Sequence, residues 1–356
     1  MFTCPPILPY FTPLPQLSLQ GEANLGIPAW LAAVEADLDK ALASGTPIRQ
    51  VVMGRCCAID SMMEALFELY ELDQTDLTLF ATGGYGRGEL HPFSDVDLLL
   101  LSPNPIDEAL NQKISPFVAK LWDIGIDPAL VVRSVEECDE ACHDDITVAT
   151  SLLEARILAG NVAQAGLPMQ LLNKNWSQTK FYEAKMAEAK ARYLKHNSTE
   201  YNLEPDLKNA PGGLRDIHTV SWISKRYFRV TNLFGLVQQE FITEKEFDEL
   251  QEAEDFLWLI RHHLHKIAKR NENRVLFDYQ RLIAEGIGYR DNSYPNAAVE
   301  QFMRDYYRYA MSNSTLSEML TQHYYETLIE ARLPDEQRPG HKVINERFKL
   351  VGNRIA

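Results

Sequence analysis

The sequence predicts an α+β fold: a small α/β domain with a short mixed sheet, followed by a mainly helical domain. Three observations carry this reading. Apolar residues recur at helical spacing before residue 72, the texture changes to short apolar runs and glycine turns between 77 and 133, and helical periodicity resumes after 135. A chain of 356 residues with 46% hydrophobic and 24% charged residues is ample for a buried core and ordinary for a globular protein.

Residues 1–27 hold many prolines and no clear period, so they read as an irregular lead or surface strap. Trp30, Leu31, Val34, Leu38 and Leu42 fall at three- and four-residue steps, and Met62, Met63, Leu66, Phe67 and Tyr70 continue the pattern in a second helix. Residues 77–82 read as a strand ending at Gly83-Gly84, and 96–101 as another, apolar on both faces. A helix over 106–122 and a third strand over 129–133 follow. Beyond them the spacing predicts helices over 147–158 (ended by Gly160), 180–196, 217–228, 244–269 and 297–328. A segment with glycine and proline, 202–216, interrupts them. The expected division is 1–72 lead and helices, 73–145 catalytic domain, 146–335 helical domain with an insertion at 201–218, and 336–356 the start of a further element. That last stretch looks unfinished, as in a fragment of a longer protein.

The net charge of −15 argues against a nucleic-acid substrate, because phosphate backbones are usually met by a basic face. Five scattered cysteines form no disulfide framework and fit a reducing cytosol. No signal peptide and no apolar run of membrane-spanning length is visible, so a soluble, cytoplasmic protein is expected.

The chemistry concentrates in Gly83-Gly84-Tyr85-Gly86-Arg87-Gly88-Glu89-Leu90-His91-Pro92-Phe93-Ser94-Asp95-Val96-Asp97. Two glycines at a strand end let backbone N–H groups approach a phosphate, and a helix start adds its dipole. Asp95 and Asp97, two residues apart on a strand, project from the same face. Carboxylates that close repel unless a cation sits between them, and Mg²⁺ takes such ligands together with substrate phosphates. Each feature alone is commonplace. Strand, Gly-Gly, short helical link, Ser-Asp-x-Asp and apolar strand together point to a metal-dependent nucleotidyltransferase.

The stretch from Gly83 to Asp97 resembles the nucleotidyltransferase motif of the DNA polymerase beta superfamily. More narrowly, it is similar to the family of bacterial PII uridylyltransferase/uridylyl-removing enzymes. Tyr201-Asn202-Leu203-Glu204-Pro205-Asp206-Leu207-Lys208-Asn209-Ala210-Pro211-Gly212-Gly213-Leu214-Arg215-Asp216-Ile217-His218 matches that family closely, with further similar patches at 145–160 and 274–280. The resemblance implies transfer of UMP from UTP to a tyrosine of the PII nitrogen-signalling protein, with release of pyrophosphate. It implies Mg²⁺ on Asp95 and Asp97, and nucleotide contacts from Gly83, Gly84, Arg87, Ser94, Lys208 and Arg215. It also implies phosphohydrolase and glutamine-sensing domains in a full-length protein, which these residues do not supply. Ala129-Leu130-Val131-Val132-Arg133 departs from the family's third strand. A third metal carboxylate would come from Asp123 or Asp127, a choice the residues leave open. Adenylylation of another enzyme, such as glutamine synthetase, is the same-class alternative, and a catalytically inactive nucleotide-sensing module the different one.

Other groups have blander readings. His262, His263 and His265 lack a carboxylate or cysteine to complete a metal set and read as core or solvated histidines. Cys138, Cys142 and His143 read as ordinary helical residues, and the charged helix over 180–195 as a solvated face.

Overall fold

The computed structural model describes residues 14–15, 26–195, 200–292, 294–329, 341–343, 349–351 and 354–355. The expected N-terminal strap and most of the expected final element lie outside the described residues.

Two antiparallel-packed helices come first, α1 (Gly26–Ala43) and α2 (Ile48–Leu69). The sheet follows: β1 (Thr78–Ala81), a single helical turn α3 (Gly83–Gly86), β2 (Val96–Ser102), α4 (Glu108–Asp123) and β3 (Pro128–Ser134). Next are α5 (Val135–Asp144) and α6 (Ile146–Leu153), then β4 (Arg156–Gly160). The remainder is mainly helical: α7 (Leu167–Asn175), α8 (Gln178–Lys195), α9 (Leu214–Phe228), α10 (Phe234–Gln238), α11 (Glu244–Ala268), α12 (Phe277–Gly286) and α13 (Ala297–Tyr324). A three-stranded antiparallel sheet, β5 (His341–Val343), β6 (Lys349–Val351) and β7 (Arg354–Ile355), lies near the end.

The main sheet is mixed, in the order β3-β2-β1-β4. β2 and β3 run parallel across α4, while β1 is antiparallel to both β2 and β4. Both of its faces are covered, which explains the unbroken apolar run of β2. Leu79, Ala81, Leu98 and Leu100 face a core shared with α1, α2, α4 and α11–α13. Phe80, Leu99 and Leu101 face α5–α8 and Trp222 of α9. Capping boxes fix the starts of α5 (Ser134 with Glu137) and α11 (Thr243 with Glu246).

The expected helix over 147–158 is corrected. It ends at Leu153, and Arg156–Gly160 crosses to become the edge strand β4, anchored by Arg156 on Asp60 of α2 at 2.8 Å. The sequence pattern also missed α7, α10 and α12. Cys56, Cys138 and Cys142 are free and buried, but Cys57 is disulfide-bonded, contrary to the expectation from the scatter of cysteines. Among the described residues no helix is long and apolar enough to cross a membrane.

Gly160 has φ +96°, and a Cβ there would run into the carbonyl oxygen of Leu77 on the paired strand. Gly160→Ala is therefore expected to lower stability by more than about 1 kcal/mol. Urea unfolding of the variant checks this, and an unchanged midpoint would refute the tight β1–β4 closure.

Candidate active site

The glycine turn is a closely fitted part of the sheet. Thr82 donates its N–H to the Asp97 carbonyl at 3.0 Å, so the strand end and the carboxylate strand are locked together. Gly83 has φ +55°, and a Cβ on it would collide with the carboxylate of Asp97. At Gly84 the nearest obstacle would be the Glu89 carbonyl, at 3.3 Å. Of the two glycines, Gly83 is the one whose lack of a side chain makes room for Asp97. The first turn of α3 leaves its leading N–H groups without helical partners.

The link to the carboxylates is pinned from outside the sheet. Arg55 of α2 donates to the Leu90 carbonyl at 3.1 Å, and the His265 ring meets the Pro92 carbonyl at 2.5 Å. Phe93 is held at φ +56°, a strained conformation for an aromatic residue, immediately before Ser94. Asp95 stands just ahead of β2 and accepts from the Asn271 amide at 2.9 Å; Asp97 is the second residue of the strand. Asp97 is pushed up to about 6, first by burial and then by the Asp95 charge. A carboxylate in that condition favours a bound cation.

One cavity of about 340 Å³ is lined by all eight residues singled out in the sequence: Gly83, Gly84, Arg87, Ser94, Asp95, Asp97, Lys208 and Arg215. Lys208 is delivered by a tightly tied loop. Asp206 accepts the N–H groups of Lys208 and Asn209 at 2.8 and 2.7 Å. Gly212, at φ +77°, donates to Asp216 at 2.7 Å, and Asn313 of α13 donates to the carbonyls of Gly212 and Gly213. Asp216 in turn holds Arg192 at 2.6 Å. Burial, then the neighbouring Arg261, Arg215 and Arg87, bring Lys208 down to about 8. Burial and Arg87 likewise lower Arg215.

The sequence reading missed several wall residues. Arg261 of α11 is fully enclosed, donates to Asn273 at 2.9 Å, and is brought down to about 10 by burial. Lys185 of α8 pairs with Glu188 at 2.7 Å and lies 3.8 Å over the Trp222 ring. That helix is therefore no simple solvated face. Glu154 contacts both Arg87 and the Trp222 indole N–H. Arg87, expected as a nucleotide contact, lines the cavity and is held between Glu89 (2.8 Å) and Glu154.

Once these pairs are set aside, the cavity presents two carboxylates, Asp95 and Asp97, together with Lys208, Arg215 and Arg261. Among the described residues none of those three cations has a carboxylate within ion-pair distance.

Of the two candidates for a third carboxylate, Asp123 lies near Tyr70, whose pKa is raised first by burial and then by the Asp123 charge. Asp127 accepts the Val96 N–H through its carbonyl at 2.9 Å. Extending the β2–β3 register by one residue sets it beside Asp95. Neither lines the cavity. His262 and His265 are core residues. One cluster with metal-ligand spacing does occur among the described residues, Glu89, His218 and Glu254. Its carboxylates are already matched by Arg87 and by Arg49, which reaches Glu254 at 2.6 Å.

The nucleotidyltransferase domain family matches residues 62–150, and the family described as GlnD PII-uridylyltransferase matches 180–321. A bifunctional uridylyltransferase/uridylyl-removing enzyme of Psychrobacter sp. (strain PRwf-1) is 60% identical over the whole chain, which covers 40% of that relative. The relative in Psychrobacter arcticus is 56% identical, with 100% of this chain and 41% of its own length covered. In Acinetobacter baumannii the identity is 48% over 92% of this chain and 37% of the relative. The chain thus spans about 40% of the length of these relatives.

The raised Asp97 makes stability depend on pH. Its folded pKa of about 6 lies above the ordinary 3.8, so folding disfavours the ionised form. Without divalent cations, stability should fall as pH rises from about 4 to about 6 and then level off, by at most about 3 kcal/mol. Asp97→Asn does not titrate and should lose this slope. Melting of parent and variant in chelator, at about pH 4 and about pH 7.5, checks this. The variant's advantage should grow at the higher pH, and an equal difference at both would refute it.

Proposed function

We propose that this chain, which belongs to the bifunctional uridylyltransferase/uridylyl-removing family, carries out the transferase reaction: UMP passes from UTP to a tyrosine of the PII signalling protein, and pyrophosphate leaves. The observation that carries the reading is that Asp95 and Asp97 line one cavity together with Lys208, Arg215 and Arg261. A metal–triphosphate complex has the complementary polarity, with dications on one side and phosphate oxygens on the other.

The raised Asp97 beside Asp95 fits a divalent cation at this pair, and we infer Mg²⁺. Bound there, it would lower the pKa of the acceptor hydroxyl and polarise the phosphate under attack. The remaining roles fall to the chain. Lys208, Arg215 and Arg261 hold the β- and γ-phosphates, and the N–H groups of Gly83 and Gly84 approach from the glycine turn. Ser94 borders the carboxylates. Arg87 acts as a fixed wall between Glu89 and Glu154. The tyrosine hydroxyl gives up its proton to solvent, its oxygen attacks the α-phosphorus as the bond to the bridging oxygen breaks, and pyrophosphate departs with that electron pair.

We also retain as proposals the division at 72, 145 and 335, a cytoplasmic setting, a role in nitrogen regulation, and the absence of nucleic-acid or membrane partners. The removing reaction and glutamine sensing are proposed for portions of a longer protein outside this match.

Labelled UTP, Mg²⁺ and purified PII test the reading, with labelled ATP in parallel. Label should enter PII from UTP only. Asp95→Asn and Asp97→Asn should each lower the rate by at least about 100-fold with the fold retained. Activity within a few-fold of the parent in either variant would overturn the metal assignment. Arg215→Ala should raise the KM for UTP by roughly tenfold or more, as expected for a lost charge-assisted contact. An unchanged KM with a lowered Tm would make Arg215 structural.

A further inference from the structure

Behind the glycine turn a second, larger cavity of about 950 Å³ opens between α2, the end of α6 and the last turn of α9. Only Arg87 and Glu154 line both this cavity and the cleft that holds Asp95 and Asp97. In a chain with 50 acidic and 35 basic residues, its charged lining is inverted: six cations and one carboxylate, Glu154. Three of the cations are answered by acids, Arg49 by Glu254 and Asp255, Arg87 by Glu89 and Glu154, and Arg156 by Asp60.

Lys225, Arg226 and Arg229 at the end of α9 are different. Among the described residues none has a carboxylate within ion-pair distance. Arg226 is buried and held rigid, donating to Asn173 at 2.6 Å and to the Trp176 carbonyl, while its Nε is buried without a partner. Lys225 is half-buried; burial lowers its pKa, an effect that Glu154 partly offsets. Arg229 caps the helix in the left-handed conformation and is exposed.

Cations near a helix C-terminus are favoured by its dipole, and that would account for exposed charges in the last turn. It does not account for a buried guanidinium and a half-buried lysine that share a cavity wall with no carboxylate counter-ion, because burying charge without an opposite charge is unfavourable. An occupant that supplies negative charge removes the difficulty. Arginine's fork and lysine's point charge suit phosphate oxygens.

We propose that this rear cavity binds a small, multiply charged oxyanion of the phosphate type, held by Lys225, Arg226 and Arg229 and distinct from the nucleotide cleft. Glu154 sits on the wall between the two cavities, held by Arg87 and Trp222, so charge bound at the rear reaches the cleft through that carboxylate.

Calorimetry with sodium pyrophosphate, in chelator and without nucleotide or acceptor protein, tests this on the whole chain. Lys208→Gln first weakens the front cleft. Pyrophosphate binding should survive in that variant. Adding Lys225→Gln or Arg229→Gln should then weaken it by about tenfold or more. Arg229 is exposed, so its replacement stays informative even where Lys225→Gln fails to fold. Complete loss of binding in Lys208→Gln alone would overturn the proposal. So would unchanged affinity in both rear variants. Neither outcome bears on the transferase reading, because the assay contains no UTP and no acceptor.

Discussion

The fold around the cleft depends on one buried guanidinium. Arg87 leaves the glycine turn and is gripped by Glu89 from the same turn and by Glu154 from the end of α6. Each carboxylate also reaches into α9: Glu89 meets His218 at 2.9 Å, and Glu154 meets Trp222. One charge thus ties the sheet, α6 and the helical layer together. Burial alone would raise Glu89, but Arg87 and His218 outweigh it and hold the carboxyl well below its usual range. Taking such charges out of water is expensive, and their attraction in a low-dielectric interior offsets the expense only while all partners are present. Losing Arg87 would strand two buried carboxylates at a cost of several kcal/mol. The same arrangement keeps His218 neutral, brought down to about 3 chiefly by burial and then by Arg87.

Much of this was legible in the sequence, for identifiable reasons. β1, β2 and β3 stand out because runs apolar on both faces between glycines suit few other states. α1, α2 and α11 announce themselves by period. Asp95 and Asp97 stand out as a same-face carboxylate pair opening an apolar strand, whereas Lys208 and Arg215 are singled out through the family resemblance of a motif that breaks a helical stretch. β4 was not legible. Ile157 and Leu158 continue the spacing of α6, and only pairing with β1 makes them a strand. The role of Arg87 was hidden as well, since its partner Glu154 lies 67 residues away and looks like any helical glutamate. Arg261, Lys185 and Trp222 carry no local signal at all. Each is an ordinary helical residue until the helices pack.

The cleft also explains how a protein with a net charge of −15 can hold a polyanion. Overall charge acts at long range and is screened within about 10 Å at ordinary ionic strength. What the proposed nucleotide would meet is the local set, and there the acids are either paired with cations or gathered at Asp95 and Asp97. The carboxylates come from the sheet, while the opposing cations come from the 205–213 loop, α9 and α11. Neither layer alone has both poles. The interface between them is therefore the site itself rather than a neutral seam beside it.

Holding cations close together is unfavourable without an anion: burial comes first in lowering Lys208, Arg215 and Arg261, and neighbouring arginines, Arg87 in every case, add to it. The repulsion is sustained by bonds that have no other evident purpose. Asp206 fixes the backbone on either side of the Lys208–Asn209 peptide, Asn313 and Asp216 fix Gly212, and Asn273 fixes Arg261. Gly212 packs so closely on the Ala310 carbonyl that no side chain would fit. The cost of gathering like charges is thus met in folding, so the proposed triphosphate would find its contacts already arranged. Preorganisation of this kind raises affinity by removing an ordering penalty rather than by adding contacts. Asn271 does the same on the opposite side, where its amide holds Asp95 in place. Since Asn271 also accepts a hydrogen bond from the Asn273 amide at 3.5 Å, the loop after α11 steadies both poles of the cleft at once.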